Sequence, residues 1–107
     1  AHLTLLRDLP RACAFGDFFF CHAGVRPGVP LDAQNSHDLI WIRGEVLHHP
    51  DLFEKVVVHG HTPLLGAAPE RLRHRTNLDT AAVFGGALTA GIFEDGQGAP
   101  QDILQVR

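Results

Sequence analysis

The sequence predicts an α/β fold, an α+β mixed sheet with helices on one side, in one domain spanning residues 1–107. Three observations predict it. Two short apolar runs, D-F-F-F-C-H (17–22) and V-V-V-H (56–59), show no alternation and end in glycine-containing turns, the pattern of strands buried on both faces. Between them, Leu39, Ile40, Ile42, Val46 and Leu47 recur closer to a helical than to an alternating spacing. Beyond them, short β-like segments follow one another closely, separated by turn residues. At 45% hydrophobic and 20% charged residues, the balance is that of a globular chain rather than a disordered tail.

Taken in order, residues 3–7 (L-T-L-L-R) read as the end of a helix stopped before Pro10. Asp17 to His22 follows as a buried strand, and Arg26 to Pro30 (R-P-G-V-P) as a loop. A helix is expected over Asn35 to His49, then a second buried strand over Val56–His59, ended by Gly60 and Pro63. Residues 67–70 read as loop. Thr76–Asp79, Ala87–Glu94 and Ile103–Val106 read as strands, with a turn at Gly85-Gly86 and a hairpin turn at Asp95–Gly98. The late strands need partners, so open sheet edges and self-association through them are expected.

Several function classes are excluded. The net charge of −3 with neutral histidines argues against a phosphate-backbone binder, so no nucleic-acid partner is expected. No apolar run approaches the ~20 residues that span a bilayer, so no membrane partner is expected either. Cys13 and Cys21 form neither a disulfide framework nor a C-x-x-C pair, which favours a reducing, cytoplasmic setting. Ser36, the single serine, lies outside any G-x-S-x-G, and Lys55, the single lysine, follows no glycine-rich loop. Cys21 and Arg26 are one residue too close for the phosphate loop of tyrosine phosphatases, so Cys21 reads as a small buried apolar residue. The chain has no Met and starts at Ala1, which leads to the expectation of a piece of a longer protein.

Eight histidines stand against these gaps. His22 ends one apolar strand and is followed at once by small residues. His59 and His61 end another, around Gly60. Ligand groups in open α/β sheets gather at the carboxyl ends of strands, and imidazole is a good ligand for Mn, Fe, Zn and Ni. A single histidine there is more often a strand cap, and two do not complete a site: the acids, Asp17 and Asp79 among them, are scattered. Trp41 reads as core, and His2, His37, His48, His49 and His74 as surface positions.

Four blocks, F-C-H-A-G-V-R-P-G (20–28), D-L-I-W-I-R (38–43), V-V-H-G-H-T-P (57–63) and N-L-D-T-A-A-V-F-G-G-A-L-T (77–89), spell a resemblance in their order. Together they resemble the calcineurin-like metallophosphoesterases, and in particular the bacterial and phage-type PPP serine/threonine protein phosphatases. The resemblance covers nearly the whole chain. It implies the C-terminal half of a β-sandwich flanked by helices, built around two divalent metal ions, Mn or Fe with Zn. It carries a metal-ligand role onto His22 and His61, and a substrate-phosphate role onto Arg43. The D-x-H, G-D-x-x-D-R-G and G-N-H-[ED] motifs are absent, and with them the catalytic histidine, so no catalytic residue is expected in this chain and at most one weakly held ion.

The resemblance leaves Arg26 and Phe84 as candidates for the pocket rim. His59 is a candidate for support behind the metal ligands, although a capping role suits it better. Asp79 and Thr80 are expected to tie a turn. The implied activity is hydrolysis of a phosphorylated protein or small phosphoester by metal-activated water, with the isolated chain inactive. A diadenosine tetraphosphate hydrolase is the alternative within the class. A non-catalytic half-domain serving binding or assembly is the alternative outside it.

Overall fold

The computed structural model describes residues 1–107. Helix α1 (His2–Asp8) ends where Leu9 turns extended, as the residue before a proline is pushed to do. It buries no residue. Strands β1 (Ala12–Phe15) and β2 (Phe18–Cys21) form an antiparallel hairpin whose two-residue turn sets Gly16 at φ +53°. β1 is an addition to the expected elements. Its A-C-A-F is short and mostly exposed, so no burial pattern marks it in the sequence.

Strand β3 (Val56–His59) pairs parallel to β2, and β5 (Arg75–Asn77) pairs parallel to β3. β4 (Glu70–Arg71) adds an antiparallel edge beside β5, where a loop was expected to run through Glu70. The sheet order is β1-β2-β3-β5-β4. Three parallel strands at its centre end on the same side, and that fact places the site. The fold is α+β: this mixed sheet, short helices, and a separate two-stranded sheet.

The expected helix over Asn35–His49 is two, α2 (Ser36–Trp41) and α3 (Gly44–Leu47). Asn35 caps α2 by accepting from the Asp38 amide at 2.8 Å. The break falls at Ile42, which is extended, and Arg43, which sits at φ −134°, ψ −89° beside Gly44. Leu39, Ile42 and Val46 remain buried across the break. One core cluster joins Phe19, Val25, Leu31, Leu39 and Val57, and a second joins Ala23, Ile42 and Val46. Gly24 lets α3 come close, since a Cβ there would stand 2.8 Å from Val46 Cγ1.

Phe18 and Phe20, alternating with Phe19 along β2, meet Phe93 edge-on with ring centres 4.9 and 5.2 Å away. Phe93 follows β6 (Leu88–Ile92), which pairs antiparallel with β7 (Asp102–Val106). The connection runs over residues 93–101, longer than a turn confined to Asp95–Gly98, although a turn does close there from Gln97 to Glu94. The register sets Leu88 opposite Val106 and Ala90 opposite Leu104, and these four side chains are exposed. The alternate positions, Thr89 and Gln105, bond to Thr80 and to the Ala67 carbonyl. This sheet therefore turns its polar positions toward the chain and an apolar face outward. No helix is long and apolar enough to cross a membrane.

Candidate functional site

The carboxyl ends of β2, β3 and β5 meet in a cleft of about 310 Å³ lined by Cys21, His22, His59–His61 and Leu78–Thr80, with β6 residues on its far wall. A backbone bond from the Gly60 amide to the His22 carbonyl, 2.7 Å, ties the ends of β2 and β3 together. The Leu78 amide bonds to the His59 carbonyl at 2.9 Å and brings the end of β5 alongside. A Cβ at Gly60 would lie 3.4 Å from Asp79 Cβ and 3.7 Å from the His22 carbonyl oxygen, so the three strand ends converge on this residue.

His22 and His61 come together there, with ring centres 5.0 Å apart. Two imidazoles sharing one ion through bonds of about 2.0–2.1 Å have ring centres roughly 5 Å apart, so this spacing fits a common ion. His61 stands at φ +68°, and the Thr62 amide bonds back to the Gly60 carbonyl at 2.8 Å. That is a γ-turn of the rarer, strained hand, centred on a residue that is not glycine. The Asn77 side-chain amide, fully buried, holds the Thr62 carbonyl at 2.9 Å and fixes the exit of the turn.

Arg43 reaches the pair from the break between α2 and α3, not from within a helix as expected. Its Nε donates to His61 Nε2 at 3.3 Å. A guanidinium only donates, so His61 Nε2 is the unprotonated nitrogen and its one lone pair is taken by Arg43; an ion would bind there only with Arg43 displaced. Burial first, then the Arg43 and His22 charges, lower the His61 pKa below the ordinary imidazole value and favour the neutral ring. The Trp41 indole stands edge-on to His61 with ring centres 5.7 Å apart. It is 60% exposed, which corrects its expected place in the core: Leu39 and Ile42 fill the core side.

His59 lies in the floor of the cleft, buried. Its Nδ1 donates to the Gly60 carbonyl at 3.1 Å and its Nε2 accepts from Arg75 Nη1 at 3.2 Å. Desolvation pushes its pKa down to about 4. Burial likewise pushes the Cys21 thiol up to about 12, which keeps it from acting as a thiolate.

Two expected rim residues lie elsewhere. Arg26 grips Asp38 through two parallel bonds, Nε–Oδ2 at 2.8 Å and Nη2–Oδ1 at 2.9 Å, and joins the loop to α2 instead of lining the cleft. The same pairing holds the Asp38 carboxyl below its usual pKa. Phe84 is exposed and lines a neighbouring hollow with Leu64, Leu65 and Arg107, sharing only Thr80 and Ala87 with the histidine cleft. Of the histidines expected at the surface, His49 and His74 are half-buried. His49 stacks on Phe53, and His74 Nε2 is enclosed without a partner.

Asp79 forms the expected turn, its Oδ1 accepting from the Ala81 amide at 3.1 Å, and it also lines the cleft. The signal that could have found it is the one that found His22: it follows a parallel strand. Arg75 was not foreseen, because nothing local marks an arginine that will be buried. Two imidazoles are the ligand set on offer. No group of three or more His, Cys, Asp or Glu side chains gathers closely enough to hold an ion unaided. No protein-family profile, curated protein or solved structure matches this chain.

Proposed function

We propose that this chain carries part of a metal-dependent phosphoester hydrolase site, with His22 and His61 as ligands to one divalent ion and Arg43 as the group that holds the substrate phosphate. The observation that supports this reading is the juxtaposition of the two imidazoles, 5.0 Å apart at adjacent parallel strand ends, with the Arg43 guanidinium in contact with one of them. A divalent ion bound there would act as a Lewis acid and supply hydroxide at neutral pH. The neutral His61 ring would bind an ion without first losing a proton, once Arg43 gives up its bond to Nε2 and turns its guanidinium to the phosphate. Arg43 presents a planar fork of donors suited to phosphoryl oxygens.

The four-block resemblance favours a phosphorylated protein as substrate over a small phosphoester. The second ion of a two-metal site, Mn or Fe with Zn, would need carboxylates from outside these residues. Unpaired Cys13 and Cys21 suit a reducing, cytoplasmic setting.

The test is Mn²⁺ titration of the 107-residue chain alongside hydrolysis of an aryl phosphate. Selective broadening of the His22 and His61 ring signals, with no turnover, is expected. Turnover appears once an aspartate-bearing partner segment is supplied. Equal broadening at exposed His37 and His48 refutes the metal pair. Turnover by the chain alone within about tenfold of the chain supplemented with that segment refutes the division of the site.

A further inference from the structure

Arg75 is the least expected side chain in the fold. It is 3% exposed, and arginine is almost never fully buried without a partner. Its Nη1 meets Glu70 Oε1 at 2.6 Å and His59 Nε2 at 3.2 Å, while Nη2 donates to the Leu47 carbonyl at 3.4 Å. Its Nε is enclosed with no partner. Replacing buried ion pairs with apolar residues is often neutral or stabilising, so stability alone is a weak reason for this arrangement.

What the arrangement does is fix His59. Because the guanidinium donates to Nε2, the proton of the neutral ring belongs to Nδ1, which points at the Gly60 carbonyl. That carbonyl is the acceptor that closes the turn around His61, through the Thr62 amide. A non-glycine residue in the left-handed region is strained and persists only where its surroundings over-determine it. Here the surroundings are a second donor on the same carbonyl, held from behind by a buried cation that is itself anchored on Glu70.

We propose that Arg75 and His59 are positioning residues, a buried clamp on the Gly60 carbonyl that maintains the strained turn presenting the His61 ring to His22. The purpose of the clamp rests on the metal reading above; its existence rests on the turn alone. Without the second donor, the Gly60 carbonyl keeps only the Thr62 amide, and the Gly60–His61 peptide, still tied at the Gly60 amide and at the Thr62 carbonyl, relaxes more readily toward extended backbone, which carries the His61 ring away from its partner. Groups that orient a metal-binding histidine through its second ring nitrogen typically cost about 10–100-fold in metal affinity when lost, and loss of a backbone clamp that holds the ring's place is expected to have an effect of the same order.

The experiment uses the 107-residue chain with His59→Phe, which keeps a ring but removes the donor, and His59→Asn, whose side-chain amide nitrogen replaces Nδ1. Zn²⁺ affinity is read from the His22 and His61 ring signals, and the turn from hydrogen exchange at the Thr62 amide. His59→Phe is expected to weaken Zn²⁺ binding and speed Thr62 exchange, each about tenfold or more, while His59→Asn restores both to within about threefold of the parent even though its thermal stability falls as well. If His59→Phe does not fold, Arg75→Gln, which leaves His59 in place, is expected to show the same two losses. A folded variant of either kind with parental Zn²⁺ affinity and parental Thr62 protection overturns the clamp. A parent chain that binds no Zn²⁺ removes the metal reading instead, and Thr62 exchange then decides the clamp by itself.

Discussion

Acidification should destabilise this fold through His59 in particular, and the size of the effect can be worked out. The buried ring has a pKa of about 4, against an ordinary value of 6.5. The unfolded chain therefore takes up a proton that the folded chain refuses. Above pH 6.5 neither state is protonated and the fold keeps its full stability. As pH falls toward 4, stability is lost at about 1.4 kcal/mol per pH unit, roughly 3 kcal/mol in all and about 2 kcal/mol by pH 5. A small domain has only about 5–15 kcal/mol to lose. The assay is urea unfolding followed by far-ultraviolet circular dichroism, because the exposed Trp41 indole is a poor fluorescence reporter of the core. His61 and His74 also have lowered pKa values, so the parent must be compared with His59→Asn, which keeps the bond to Gly60 and does not titrate. The two stabilities should differ by a constant amount above pH 7 and converge by about 2 kcal/mol at pH 5. Parallel curves from pH 7.5 to 5 would refute the reasoning, because they would mean that His59 is hydrated or that Arg75 does not hold its Nε2.

Three further outcomes are expected. Gly24→Ala should cost about 1–3 kcal/mol in urea unfolding, since its Cβ meets Val46 Cγ1 at 2.8 Å at a φ of +144°. On the phosphoesterase proposal, Arg43→Ala should lower aryl-phosphate turnover of the chain supplemented with an aspartate-bearing segment roughly 10²–10³-fold with its metal content unchanged, whereas equal turnover would make Arg43 a surface residue. Leu104→Lys on the outward face of the β6–β7 pair should reduce self-association in sedimentation velocity, with unfolding free energy within about 0.5 kcal/mol of the parent.

The central strands were legible because burial on both faces writes itself into composition: F-F-F-C and V-V-V-H leave no room for polar alternation. The break between α2 and α3 was not legible, for a specific reason. Leu39, Ile42 and Val46 lie three and four residues apart, which is helical spacing, yet the turn between them is made by an extended Ile42. Periodicity reports which side chains face the core, not whether the backbone between them stays hydrogen-bonded. Trp41 was misplaced by the same rule in reverse. Its size suggested core, while its position at the last residue of α2 directs it toward His61. β1 and β4 escaped because both are short edge strands, held by pairing to a neighbour and not by burial of their own side chains.

The site divides along the same line. His22 and His61 could be suggested as a pair from sequence because each sits at the end of an apolar strand beside small residues, and the four-block resemblance carried the ligand role onto both; their adjacency comes from the parallel pairing of β2 and β3. Arg43 could be named only through the four-block resemblance, and the element that presents it was misread. Of the layer beneath, the sequence offered His59 as a candidate support but not its partner Arg75, because the two act through a bond between strands separated by residues 60–74. It is this layer that makes the strand-end histidines unlike ordinary caps. A cap satisfies its own hydrogen bond and relaxes the backbone. His61 does the opposite: it sits in a strained turn, its Nε2 accepts from a surface-exposed arginine, and a buried arginine two side chains away secures the carbonyl that keeps it there. Strain of about 1–3 kcal/mol, maintained by a buried cation in a chain where only 20 of 107 residues are buried, is hard to account for as packing. On the proposed metal reading, holding two imidazoles at the spacing that one ion requires would account for it.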